Sequence, residues 1–273
     1  MQRNSLYFTA PREAALVREK LEEAQPGQLL VETRVSAISP GTELLVYRGQ
    51  LPGGVSLDST ISALAGETGY PLKYGYAAAG KVIDCGPGSV RGDWLGKAVF
   101  AFHPHESHFW ARPEELMLIP EGLSFEQAVF LANMETAVNF LMDGQPAAGE
   151  QVAVFGQGIV GLLTTALLSQ HPLASLVTLD RYEERRKASL EAGAQASLDP
   201  SDAAVLEELL SQLQRERVYR GADLTFELSG APETLNMAIA GTGFNGRIVI
   251  GSWYGQKQAP LNLGGSFHRS RIP

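Results

Sequence analysis

Cysteine is all but absent from these 273 residues, Cys85 being the only one. A disulfide within the chain is therefore excluded, as is any zinc site that draws two or more thiolates from it. Long apolar runs are also missing. The most apolar stretch, 158–170, includes two threonines, a serine and a glutamine, and no run reaches the roughly 18 apolar residues of a membrane span. There is no basic excess: 22 Lys and Arg stand against 30 Asp and Glu, a net charge of −8 with a pI near 5.2. This balance argues against nucleic acid or an anionic membrane as a partner, while leaving room for a local basic pocket. The opening MQRNSLYFTAPREAA has no basic stretch followed by an apolar core, so no signal peptide is expected. With the lone thiol, this points to a cytoplasmic protein. What is present is core-forming material, 44% apolar and 19% charged, enough for one large domain or two ordinary ones.

The chain has two textures. Residues 1–123 alternate short β-branched or aromatic runs with Gly and Pro breakers. Strands are expected at 28–38, 78–84, 96–102 and 114–119, with punctuation at Pro40-Gly41, Pro52-Gly53-Gly54, Gly86-Pro87-Gly88 and Pro120-Glu121-Gly122. This reads as an all-β, barrel-like unit. Residues 12–24 (REAALVREKLEEA) read as a helix by propensity, against that pattern. From 124 onward, Ser124 and Gln127 have capping-box spacing and open a helix expected over 124–142, ended by Gly144 and Pro146. Strands at 152–155, 176–179, 196–198, 222–228 and 246–252 then alternate with helices, including 202–216 and 232–240. That alternation predicts a doubly wound parallel sheet over 124–273.

The strongest chemical signal is Gly156-x-Gly158-x-x-Gly161, with Ile159 and Val160 inside it, set between a predicted strand and a predicted helix. The first glycine permits a tight turn, the second lets the backbone approach a pyrophosphate, and the third lets helix and strand pack closely. The helix N-terminus adds free N–H groups and partial positive charge. Asp180 ends the next predicted strand, where a carboxylate can bind both hydroxyls of an adenosine ribose and repel a 2′-phosphate. NAD is therefore the expected cofactor. NADP stays open, because Arg181 and Arg185 either meet a 2′-phosphate or form an ordinary solvated helix start.

SPGTELLVYRG (39–49), PLKYGYAAAG (71–80), LIPEGLSFEQA (118–128), FGQGIVG (155–161), GADLTFELSG (221–230) and GRIVIGSWYG (246–255) together resemble the medium-chain dehydrogenase/reductase superfamily, in its order and near its spacing. GTE (41–43), YRG (47–49) and FHP (102–104) are most similar to members near the bacteriochlorophyllide dehydrogenases. The resemblance implies a GroES-like β-barrel catalytic domain over 1–123, a Rossmann domain over 124–273, and an active site in the cleft between them. It also implies further residues after Pro273, carrying a last strand, a return segment and the dimer edge, so either the chain is truncated or the fold closes differently, and dimerisation is doubtful. Thr136 matches a threonine packed near the nicotinamide, and Ser229 and Gly251 lie in matched segments as further cofactor contacts.

The departures concern metal. Zinc-type members carry Cys-Gly-Thr-Asp-Leu-His where this chain has 40–45, and their ligand cysteine is here Pro40. Their ligand histidine falls at Tyr76, and their third ligand at about Ala132. No catalytic zinc is expected. Thr42 matches the hydroxyl that relays the substrate proton, and Glu43 the supporting acid beside it. Tyr76 either donates a hydrogen bond to a carbonyl oxygen or fills the vacated metal space. In HPHESHF (103–109), His103, His105 and His108 are open to metal binding, substrate contact or a structural role, and His103 and His105 would share a face if the segment were a strand. The expectation is a zinc-independent NAD(P) oxidoreductase acting on a carbonyl, quinone or activated alkene. Its alternative is a nucleotide-binding sensor or scaffold without turnover.

Overall fold

A computed structural model describes residues 1–51, 69–88, 91–215 and 219–272. The expected Pro52-Gly53-Gly54 turn and the last residue of the 202–216 helix lie outside the described residues. The chain divides into two compact units, Met1–Ala132 and Asn133–Pro273, which gives an α/β protein whose first unit is mainly β, with three short helices.

The first unit opens with β1 (Gln2–Ala10) and β2 (Glu13–Lys20), an antiparallel hairpin in register from Gln2↔Lys20 to Ala10↔Glu13. This corrects the helix expected at 12–24. Its apolar residues Ala14, Val17 and Leu21 do have helical spacing, but β1 pairs with the segment along its length. Strand pairing with β1 satisfies the backbone, although Leu16 is left exposed. After it come β3 (Leu29–Ser36), α1 (Thr42–Tyr47), β4 (Ala78–Cys85), α2 (Arg91–Trp94), β5 (Ala98–Ala101) and β6 (His108–Ala111). A 3-10 turn over Pro113–Glu115, β7 (Met117–Leu118) and α3 (Phe125–Ala128) complete the unit. Pro113 thus confines the strand expected at 114–119 to two residues. The sheet is antiparallel throughout, in the order β6-β3-β4-β5-β7. Leu29, Val31, Val82, Val99 and Phe109 form its core. The hairpin joins the 105–107 loop through Leu6 N–H to the His105 carbonyl at 2.9 Å. A buried ionic cluster reinforces this join, in which Arg3 and Lys73 meet Glu106 at 3.2 and 2.6 Å.

Ser124 caps α3 as its spacing predicts, the hydroxyl accepting Gln127 N–H while the Gln127 side chain accepts Ser124 N–H. The single helix expected at 124–142 is two, because the chain turns at Val129–Phe130 before α4 (Leu131–Gly144). Then follow β8 (Gln151–Phe155), α5 (Ile159–Leu168), β9 (Ser175–Leu179), α6 (Glu183–Glu191), β10 (Ala196–Leu198) and α7 (Val205–Gln212). The last of these stops short of the expected helix because the chain enters a small ladder, β11 (Gln214–Arg215) with β12 (Tyr219–Arg220). β13 (Ala222–Glu227), α8 (Thr234–Gly241) and β14 (Thr242–Ile250) follow.

The five main strands of this unit are parallel, in the order β10-β9-β8-β13-β14. Every residue of β8 is buried, as the compact VAVF run predicts for a strand covered on both faces. Val152 and Val154 pack with Leu168 of α5 and Phe140 of α4. Ala153 and Phe155 pack with Leu209 of α7 and Ala238 of α8. The strand order reverses at β8 and β13, so the crevice outside their carboxyl ends is a topological switch point, where doubly wound sheets bind ligands. No helix among the described residues is long and apolar enough to cross a membrane.

Candidate functional site

The glycine turn follows β8 and leads into α5. Gly156 has φ +91°, and a Cβ on it would lie 2.5 Å from Ser229 Cα and 2.6 Å from the Leu228 carbonyl oxygen. A Cβ on Gly161 would overlap the carbonyl oxygen of Gly156, so turn and helix pack backbone to backbone. Gly158, the N-cap of α5, has nothing within 4 Å of its Cβ position and no side-chain cap. Two glycines therefore serve packing and the third leaves an open face beside unsatisfied N–H groups of a ten-residue helix, an arrangement suited to an anion. Ile159 and Val160 form the first turn of α5.

Asp180, at the end of β9, is only 6% exposed. Its Oδ2 accepts Gln157 N–H and its Oδ1 accepts Tyr182 N–H, each at 2.8 Å. The carboxylate thus braces the glycine turn, and its oxygens keep lone pairs for further donors. Arg185 approaches it at 3.7 Å. Arg181 and Arg185 both lie over the Tyr182 ring, at 5.2 and 4.8 Å from its centroid. Thr136 is on α4. Gly251 follows β14, its N–H donating to the Glu227 carbonyl at 3.0 Å. Ser229 turns its hydroxyl and its N–H to the Glu227 carboxylate, which also accepts a short hydrogen bond from the Tyr254 phenol. Sequence reasoning missed Glu227 and Tyr254. The available signal was an acid at the carboxyl end of a strand expected in the parallel sheet.

In the first unit, Thr42 starts α1 and Glu43 follows it, 1% exposed. Glu43 Oε1 accepts Ser39 N–H at 2.9 Å, and Oε2 lies 2.7 Å from His105 Nε2. His105 Nδ1 makes a short hydrogen bond with Ser36 Oγ. The imidazole reaches Glu43 through space that Gly75 leaves free: at φ +141°, a Cβ there would sit 2.7 Å from His105 Nε2. The Tyr76 phenol is pushed up by burial, against hydrogen bonds to the side chains of Ser39 and Thr42 that lower it, while the Glu43 charge pushes it further up. It is therefore a neutral donor at physiological pH.

The histidines of 103–108 do not converge. Residues 102–105 form a loop rather than a strand, so the alternation that would align His103 with His105 is absent. His103 stacks on Phe109 with centroids 3.8 Å apart, and burial pushes its pKa down. His108 pairs with the Ser107 hydroxyl at 3.1 Å. Among the described residues no group of three or more His, Cys, Asp or Glu side chains could hold a metal ion. Pro40, Tyr76 and Ala132 offer neither thiolate nor imidazole to zinc.

Comparison with known proteins adds the following. A family model described as zinc-binding dehydrogenase matches residues 160–271. The chain is 27% identical to (R,R)-butanediol dehydrogenase of Bacillus subtilis, over 85% of this chain and 72% of that protein. It is 24% identical to D-guloside 3-dehydrogenase of Escherichia coli, over 96% and 77%. Among solved structures, 2R,3R-butanediol dehydrogenase of Bacillus subtilis aligns with a TM-score of 0.78 at 20% identity, over 99% of this chain and 82% of that one. The Escherichia coli alcohol dehydrogenase rspB, crystallised with NADH, gives 0.78 at 17% identity, over 99% and 82%.

Proposed function

Because this chain belongs to the medium-chain dehydrogenase/reductase superfamily, we propose that it is a zinc-independent NAD(P)-dependent oxidoreductase of a carbonyl, quinone or activated alkene. Its relatives are dehydrogenases by name, which supports an oxidoreductase. The observation that carries the finer reading is Tyr76. It occupies the position of a family zinc ligand, and its partly buried phenol is hydrogen-bonded to Ser39 and Thr42.

The open Gly158 face and the N-terminus of α5 fit a pyrophosphate, Asp180 fits the adenosine ribose, and Ser229 and Gly251 border the crevice beyond. Bound there, a nicotinamide coenzyme supplies or accepts hydride. Tyr76, braced by Ser39 and Thr42, donates to the substrate oxygen, whose developing charge needs a donor where Pro40, Tyr76 and Ala132 offer no thiolate or imidazole to a cation. Glu43 and His105 hold the 39–42 turn from behind. An activated acceptor, whose negative charge is delocalised, suits a phenol donor better than a simple alcohol suits it as a base. His103, neutral and stacked on Phe109, belongs to the structure rather than to proton transfer.

The test is coenzyme-linked absorbance change across a carbonyl, quinone and enone panel, with NADH and NADPH. Turnover by the wild type, reduced about 100-fold in Tyr76→Phe with coenzyme affinity retained, is expected. Tight coenzyme binding without turnover on any acceptor favours instead a nucleotide-binding sensor or scaffold, the reading that the replaced metal donors otherwise suggest.

A further inference from the structure

Three loops leave the carboxyl ends of β8, β13 and β14, and they are tied to one another. Leu228 N–H donates to the Phe155 carbonyl at 2.7 Å, and Gly251 N–H to the Glu227 carbonyl at 3.0 Å. Ser229 Cα lies against Gly156. At the centre of this tie is the side chain of Glu227, 0% exposed. Among the described residues its side-chain hydrogen-bond partners are neutral donors: Ser229 N–H at 2.9 Å, the Ser229 hydroxyl and the Tyr254 phenol. Surrounded by an N–H and two hydroxyls, the carboxyl group is placed to accept through both oxygens. Among the described residues no basic side chain forms an ion pair with it. Lys257 instead donates to the Gly230 carbonyl at 2.7 Å, and Glu233 adds a second negative charge toward Tyr254.

The sheet order says which part of a dinucleotide this charge would lie beneath. Asp180, at the end of β9, marks the adenosine ribose on one side of β8. The α5 N-terminus marks the pyrophosphate at β8 itself. The remaining half, the nicotinamide, must continue to the other side of β8, over β13 and β14, where Glu227 sits. A nicotinamide ring carries a positive charge when oxidised and none when reduced. A buried carboxylate without a counter-ion interacts with the first and not the second, and low-dielectric surroundings make that interaction strong.

We infer that Glu227 selects the redox state of the bound coenzyme, holding the oxidised form more tightly relative to the reduced form. Tyr254 moderates the effect by donating to the carboxylate. Both act through charge at a distance and not by contact with substrate. The inference rests on the dinucleotide reading proposed above.

The test is binding, not turnover. Dissociation constants for NAD+ and NADH, or for the phosphorylated pair if only that pair binds, are measured by tryptophan quenching and calorimetry. In Glu227→Gln the ratio Kd(oxidised)/Kd(reduced) should rise by about tenfold. In Tyr254→Phe the carboxylate loses a donor, so the ratio should move severalfold the opposite way. A merely structural role would weaken both forms alike and leave the ratio unchanged, which overturns the inference. Should Glu227→Gln fail to fold, the direction of change in Tyr254→Phe decides. If the wild type binds neither coenzyme pair, the dinucleotide reading itself falls. If it binds and the ratio does not move, only the role of Glu227 does.

Discussion

Replacing Gly75 with alanine should cost far more than one methyl group suggests. Gly75 has φ +141°, a conformation that L residues rarely adopt, and the added Cβ would sit 2.7 Å from His105 Nε2 and 2.8 Å from Cδ2. The imidazole cannot withdraw without giving up its 2.7 Å contact with Glu43, whose carboxylate is 1% exposed. Backbone strain contributes about 1–3 kcal/mol, and a lost hydrogen bond to a buried charged group about 1.5–3 kcal/mol. The total for Gly75→Ala is about 2.5–6 kcal/mol. Urea denaturation of the wild type, Gly75→Ala, His105→Ala and the double variant separates the two parts. With His105 removed, the methyl has room and the Glu43–imidazole contact is already lost, so only backbone strain remains. The double variant should therefore be about 2 kcal/mol more stable than the sum of the singles implies. Strict additivity, or a Gly75→Ala cost below about 1 kcal/mol, would refute the claim that this glycine exists to admit the imidazole.

The glycine turn makes a paired prediction: Gly158→Ala should keep stability within about 0.5 kcal/mol yet weaken coenzyme binding severalfold, because its methyl enters open space at the anion face. Gly161→Ala, whose methyl meets the Gly156 carbonyl, should lose about 2 kcal/mol or more in thermal denaturation. Burial raises the Glu19 pKa, but hydrogen bonds from Lys73, Ser5, Tyr7 and Arg3 outweigh it and bring it from 4.5 down to about 2. Its folded pKa thus lies below its unfolded one, so its stabilisation is complete above pH 4.5 and disappears as the pH falls toward 2. Acid denaturation of Glu19→Gln should show a shallower loss across that window. Arg247 binds Glu150 through both terminal nitrogens and donates to the carbonyls of Gly144 and Gln145 at the end of α4. Arg247→Ala should cost about 2 kcal/mol by chemical denaturation.

The parts of this molecule that could be read from sequence are those in which local chemistry and final structure agree. Ser124 and Gln127 announce α3 because the capping bonds span three residues. The run 152–155 announces a strand covered on both faces because nothing polar interrupts it. The Gly156, Gly158 and Gly161 spacing is legible because each position faces a different steric demand. Residues 13–20 misled because their helix-forming composition carries no information about β1, the strand that claims them. The histidine run misled for a related reason. Spacing predicts convergence only on a strand, and the loop sends His103 to Phe109 and His105 to Glu43. The Ser36–His105–Glu43 array joins residues 69 and 62 apart, and Glu227 meets Tyr254 across a strand connection. No local pattern encodes such pairings; they arise only when the fold closes.

The central claim is that a protein hydroxyl, rather than a bound cation, handles the substrate oxygen. Zinc content determined by elemental analysis on turning-over protein, before and after exhaustive chelation, tests it most directly. Coenzyme-linked turnover unchanged by chelation, with zinc far below one per chain, is the predicted result. One zinc per chain, with turnover lost on its removal and restored on its return, would contradict the account.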